Sequence, residues 1–162
     1  LAAVTLAYPA TLAATLARAP LSAAASTVPE APPPLSRSAR AVAARGVSPS
    51  ETPAPVAAAD PITLDMPAGD AFDTVEDAVK ALRWRLVEAV PPGGRLGLGH
   101  IEAIAFSPVM HLPQDISIRV APAAGQARVD VVSVARLGVT DFGEGAATIR
   151  QLGDAVAAQA DD

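Results

Sequence analysis

The chain has 162 residues, with 12 basic and 17 acidic side chains, a formal net charge of −5 and an isoelectric point of about 4.9. This charge argues against binding to nucleic acid through the phosphate backbone, and an aromatic content of 3% leaves few rings for stacking on bases or sugars. The absence of cysteine excludes disulfides, thiolate catalysis and zinc–thiolate sites, and the length suits one domain.

The first segment, residues 1–19, is strongly apolar, because residues 1–17 carry no charged side chain before Arg18. As a helix these 17 residues would span roughly 25 Å, short of the ~30 Å hydrocarbon core of a bilayer. We interpret the segment as the last part of a transmembrane helix that starts upstream of Leu1 and contacts the lipid bilayer. A signal-peptide core and a soluble helix are the alternatives.

Residues 20–60 are predicted to form an extended, proline-rich arm. The stretch from Pro20 to Pro61 contains nine prolines, both ends included. Because proline fixes φ and removes a backbone donor, we expect no strand pairing within this segment. A short helix is predicted near residues 36–44. Its basic side chains are candidates for contact with lipid headgroups or an acidic partner, and a solvated charged face is the alternative. They are Arg37, Arg40 and Arg45.

The folded domain is predicted over residues 61–158. It opens with a short strand, in which Ile62, Leu64 and Met66 alternate with polar residues. A helix starting at Gly69-Asp70 is predicted next, because apolar residues recur at helical spacing and acidic residues precede basic ones. Its apolar stripe contains Phe72, Val75, Val79 and Leu82.

Four strands and a last helix follow in the predicted order. The strands cover residues 84–90, 95–106, 115–120 and 128–137, with turn residues between them. The last helix is predicted to start at Thr140-Asp141, and its stripe contains Ile149, Leu152 and Val156. The resulting order β-α-β-β-β-β-α predicts an α+β fold, with a mainly antiparallel sheet of about five strands and both helices on one face.

The other face of this sheet is the predicted interaction surface. The strand over residues 128–137 places Val129, Val131 and Ser133 on the core side, and its opposite side is charged at both ends and apolar in the middle. The interaction candidates on that side are Arg119, Arg128, Asp130, Val132, Val134 and Arg136.

Two patterns are compatible with a metal site or a catalytic site, and each also has a purely structural interpretation. Two histidines and two carboxylates could form a metal set of His100, Glu102, His111 and Asp115, but no further ligand supports it. Ser133 could be assigned to a catalytic triad, yet it lies in mid-strand without a nucleophile elbow, which favours a hydrogen-bonded core serine. We therefore predict no catalytic residue, no metal and no cofactor.

The run from Arg128 to Gly138, followed by Asp141-Phe-Gly143 and Ile149-Arg150, resembles a family catalogued as domain of unknown function fourteen-ninety-nine. The family is bacterial and plastid, and many members are membrane-anchored. The positions that this resemblance implies as scaffold are Glu102, Asp115, Asp130, Ser133, Arg136, Gly138, Asp141 and Gly143. The positions that depart from the usual signature are Gln114 and Val132, with Ala135, Gly145 and Thr148. At these five positions the usual donors, acceptors or charges of the signature are lost, which favours retention of a scaffold over retention of a chemistry.

We therefore expect a non-catalytic, membrane-tethered accessory or interaction subunit of a larger membrane-protein complex. It would dock on membrane-protein subunits through its arm and sheet face, with the domain on the periplasmic side and no role in nucleic-acid binding. The alternative function is a periplasmic module that binds a small ligand or a lipid.

Overall fold

The computed structural model describes residues 24–35, 55–109, 111–136 and 143–161. Within these residues the chain forms seven strands and two helices. In chain order they are β1 (Ala24–Ser26), β2 (Val56–Ala57), β3 (Ile62–Leu64), α1 (Ala68–Ala81), β4 (Arg85–Gly93), β5 (Leu98–Phe106), β6 (Pro113–Ala123), β7 (Gln126–Ala135) and α2 (Glu144–Ala160).

The strands form a single sheet in the order β2-β1-β7-β6-β5-β4, and β3 also pairs with β7. All the pairings are antiparallel except that of β1 with β2. Two separate segments share one edge of β7: Ala24–Ser26 lies opposite residues 132–134, and Ile62–Leu64 lies opposite residues 127–129. The predicted α+β class and antiparallel sheet are confirmed, with more strands than expected.

Both helices pack on the same face of the sheet, as predicted. Apolar residues of α1 and α2 form one core with alternate residues of β5, β6 and β7. The helix residues in this core include Phe72, Val75, Val79, Ile149, Leu152 and Val156. The strand residues include Ile101, Ile116, Ile118, Val120, Val129 and Val131.

The arm contributes β1 and β2, which pair with each other. The predictions that no strand pairing occurs within residues 20–60 and that the domain starts at residue 61 are therefore wrong. The three residues of β1 lie between Pro20 and Pro29, and the two of β2 lie between Pro55 and Pro61. Each stretch therefore keeps the backbone N–H groups that a strand needs. In the described part of the arm, the stretches that join the sheet are therefore the ones without proline.

Several predictions fall on residues outside the described part of the chain. They concern the apolar segment 1–19 and the short helix near 36–44. The residues concerned include Arg37, Arg40, Arg45, Gly138 and Asp141. The predicted helix start at Thr140-Asp141 is wrong, because α2 starts at Glu144 with Gly143 as its N-cap. Of the helices that the structure does describe, neither has the length and apolar character needed to cross a membrane.

Gly99 on β5 is required by close packing. A Cβ atom at this position would lie 2.7 Å from Cδ2 of Phe72 and 3.0 Å from the ring of Pro92. The Phe72 ring is buried in the core, so it has little room to move away.

We expect Gly99→Ala to lower the free energy of unfolding by about 1–3 kcal/mol, because the added methyl group overpacks the contact with Phe72. Urea unfolding monitored by circular dichroism measures this value. Gly69→Ala in α1 is the matched control: nothing lies within 4 Å of its added Cβ, so it should be neutral or stabilising by up to about 1 kcal/mol. Equal stabilities of the two variants would contradict the packing argument.

Candidate functional site

The sheet face opposite the helices, called the polar face below, carries three buried carboxylates on three neighbouring strands. They are Glu102 on β5, Asp115 on β6 and Asp130 on β7, with exposed fractions of 2%, 2% and 3%. Strand alternation places them there, because their chain neighbours Ile101, Ile116 and Val131 point into the core. A carboxylate is costly to bury unless other groups compensate its charge, so the surroundings of each one define the site.

Asp130 is held by two arginines. Arg119, directly opposite on β6, donates from Nε at 3.1 Å and from Nη2 at 2.7 Å to Oδ2 of Asp130. Arg128 donates from Nε to Oδ1 at 2.7 Å. Both carboxylate oxygens are thus paired, and this charge is compensated within the sheet.

Asp115 is compensated on one side only. Arg136 donates to Oδ1 of Asp115 through Nη2 and through Nε, the latter at 3.0 Å. The other oxygen, Oδ2, is buried and has no hydrogen-bond partner among the described residues. Burial raises the pKa of Asp115 above its ordinary value, and this outweighs the lowering by Arg136; the negative charge of Glu102 raises the pKa further.

Glu102 lies beside a histidine and a second glutamate. His100 Nε2 is 3.0 Å from Oε1 of Glu102, and Glu88 on β4 is the direct cross-strand neighbour of Glu102. One potential ligand atom from each of the three residues lies within 4.8 Å of the others. The structure therefore brings together His100 and Glu102, two members of the metal set that the sequence analysis rejected, and adds Glu88, which was not considered there.

His111 is not part of this cluster. It lies in the loop between β5 and β6, where its ring stacks on Phe106 with a centroid distance of 4.9 Å and an interplanar angle of 17°. Glu88 could have been found only from the cross-strand register, because it is 12 residues from His100 along the chain and follows a register shift.

Residues 27–35, called the strap below, cover part of the polar face. Ser117 donates its hydroxyl to the carbonyl of Pro34 at 2.7 Å, and Arg119 donates to the carbonyl of Ala31 at 3.1 Å. The backbone N–H of Val131 donates to Thr27 Oγ1 at 2.9 Å. The strap is therefore bound to both β6 and β7.

The strap changes the interpretation of the predicted interaction residues. Val132 and Val134 were expected at an open surface, but they are buried in a small cluster with Ala24, against which Leu35 packs. Asp130 is buried as well. Arg119 and Arg136 are engaged in the ion pairs described above, and Arg128, also paired, remains the most exposed of the set. The reason for the difference is that the covering residues are about 100 positions away in sequence.

The family model described as Protein of unknown function (DUF1499) matches residues 24–156. The chain belongs to this family. The match begins at β1 and includes the strap, so the DUF1499 unit takes in the part of the arm that joins the sheet. No curated protein and no solved structure matches the chain.

Two departures from the usual DUF1499 signature have structural explanations. Gln114 lies on the helix side of β6, where its Oε1 accepts a hydrogen bond from Ser133. This confirms the interpretation of Ser133 as a hydrogen-bonded core serine.

Val132 belongs to the apolar cluster under the strap, where a charged side chain would be poorly accommodated. The signature residue Gly143 precedes α2 with a left-handed φ of 82°, a conformation that glycine adopts without strain.

We expect Asp130→Asn to lower the free energy of unfolding by about 1–3 kcal/mol, because Arg119 and Arg128 lose their charged acceptor. Both arginines keep some contact with solvent, which places the effect below the loss expected for a fully buried pair. Asp73→Asn on the exposed side of α1 is the control and should change stability by less than about 0.5 kcal/mol. Chemical denaturation measures both, and a neutral Asp130→Asn would contradict the role of the pair.

The raised pKa of Asp115 predicts a pH-dependent contribution to stability. Because the folded-state pKa lies above the ordinary value of 3.8, this contribution is fully present below pH 3.8 and is lost as the pH rises through the folded-state pKa. The unfolding free energy of the wild type minus that of Asp115→Asn should therefore increase as the pH is lowered from 7 towards 3. Unfolding curves recorded at several pH values, in buffer that contains a metal chelator, measure this difference. A difference that instead grows with pH would contradict the raised pKa of Asp115.

Proposed function

We propose that this chain is a non-catalytic, membrane-tethered accessory subunit of a larger membrane-protein complex, and that it docks through the outer edge of β4. The supporting observation is the position of the exposed apolar side chains. Within the described residues, all the large hydrophobic side chains that are exposed lie between residues 86 and 109. They are Leu86, Val87, Val90, Leu96, Leu98, Phe106 and Val109, with exposed fractions between 37% and 74%.

The β4 edge also offers backbone hydrogen-bonding groups. Among the described strands β4 pairs only with β5. At the opposite side of the sheet, the short strands β1 and β3 both pair with the outer edge of β7. A free edge lined with apolar side chains is a surface on which another polypeptide can add, and soluble monomers usually protect such edges.

The length of this edge is limited. Pro91 and Pro92 lack backbone donors, and register shifts interrupt the pairing between Leu86 and Glu88 and between Val90 and Gly93. These features oppose repeated edge-to-edge stacking, and they leave residues 85–90 as a short segment for one specific partner. They favour docking on a partner subunit over self-assembly.

The edge replaces the sheet face as the proposed docking surface, because the strap already covers Val132 and Val134. The proposed membrane tether is residues 1–19, on the basis of their uncharged sequence, and the domain is proposed to lie on the periplasmic side. The proposal of a non-catalytic role is supported by Ser133, whose hydroxyl is buried and bonded to Gln114.

Site-specific photo-crosslinking in cells that make the full chain tests this proposal. A photoreactive residue at position 87 or 96 should give an adduct with the same membrane protein, and Val87→Asp combined with Val90→Asp should abolish the adduct formed from position 96. Positions 73 and 77, on the exposed side of α1, are the controls and should give no adduct. Recovery of the chain as a soluble monomer, without adducts from the edge positions, would overturn the proposal.

A further inference from the structure

Glu88 and Glu102 lie opposite each other on β4 and β5, which places two carboxylates side by side. They are direct cross-strand partners on the polar face. Like charges in this position destabilise a sheet, because the Cβ atoms of opposite residues are only about 4.5–5.5 Å apart. Local conflicts of this kind are found mainly at functional sites.

A register shift brings Glu88 to this position. Leu86 pairs with Ala103 and Glu88 pairs with Glu102, so β4 advances two residues while β5 advances one. Without the extra residue, Val87 would lie opposite Glu102. Such bulges redirect side chains and are frequent beside functional sites.

The three donor atoms are close enough for shared ligation. The His100 Nε2 to Glu102 Oε1 distance is 3.0 Å, and the Glu88 oxygen lies within 4.8 Å of both atoms. Donors bound to one ion at about 2.0–2.2 Å are roughly 3–3.6 Å apart, so a modest rotation of the exposed Glu88 side chain would complete the geometry. Glu102 is buried, His100 is half-buried and Glu88 is exposed, which leaves one side open for water to complete the coordination.

Asp115 supplies a second and independent observation that points to a cation site. It lies on the same face of the adjacent strand, near enough to Glu102 to be affected by its charge. Asp115 is buried, and its Oδ2 has no hydrogen-bond partner in the described part of the chain. Asp115 thus places a further buried carboxylate oxygen on the strand next to the cluster, and a nearby divalent cation would compensate its charge.

We propose that Glu88, His100 and Glu102 bind a divalent first-row transition-metal ion, with Asp115 as an outer carboxylate. One imidazole and two carboxylates suit Zn²⁺ or Mn²⁺, whereas Ca²⁺ prefers a shell of oxygen ligands. The ion clamps β4 to β5 directly behind the exposed edge. This assignment departs from the expectation of no metal, and it is independent of the docking proposal.

Isothermal titration calorimetry of the full chain, freed of metal with chelator, tests the assignment with Zn²⁺, Mn²⁺ and Ca²⁺. We expect about one Zn²⁺ per chain, weaker binding of Ca²⁺, and a rise in the thermal midpoint on addition of Zn²⁺. Co²⁺ should give visible absorption bands that report on its ligands.

The variants Glu88→Gln and His100→Ala should each weaken Zn²⁺ binding at least tenfold and remove the thermal shift. His111→Ala is the matched control, because it removes the second histidine and leaves the cluster intact. Glu88 is exposed, so Glu88→Gln should remain folded, and circular dichroism checks this. No binding by the wild type, or binding lost in His111→Ala and retained in His100→Ala, would overturn the proposal.

Discussion

The compensation of buried negative charge is the constraint on which the polar face of this protein depends. Glu102, Asp115 and Asp130 occupy three adjacent strands, where water is largely excluded. The charge of Asp130 is fully matched by two arginines, and that of Asp115 is matched at one oxygen. The cluster proposed to bind a metal lies on the other side of Asp115, between β5 and β4.

The two ends of the sheet have different surroundings. At β7, β1 from the arm and β3 pair with the strand edge, and the strap covers the adjacent polar face. At β4, the described strands leave an exposed and apolar edge. A metal between β4 and β5 would stiffen the hairpin that presents this edge. The proposed site and the proposed docking surface would then belong to one structural unit without depending on each other.

The match to the DUF1499 family model includes the strap as well as the core. The departures from the family signature can therefore be interpreted from the contacts that each residue makes. Val132 is accommodated by apolar contacts under the strap, and Gln114 is accommodated by Ser133. Thr148, another departure, donates its hydroxyl to the carbonyl of Glu144 at 2.9 Å within α2. The retained Asp115, Asp130 and Arg136 still form the ion pairs of the polar face.

The sequence by itself determined the features that depend on neighbouring residues. Alternation assigned Ile116, Ile118 and Val120 to the core, and helical spacing assigned Phe72, Val75 and Val79 to the buried side of α1. These periods are set by the local geometry of strands and helices, so they can be recognised in the sequence alone.

Only the tertiary structure decided that Ala24–Ser26 pairs with β7, that Val132 is covered by the strap, and that Glu88 lies opposite Glu102. The first two join segments about 100 residues apart, and the third depends on a single extra residue in β4. Strand pairing and register are set by long-range contacts, which no local period encodes.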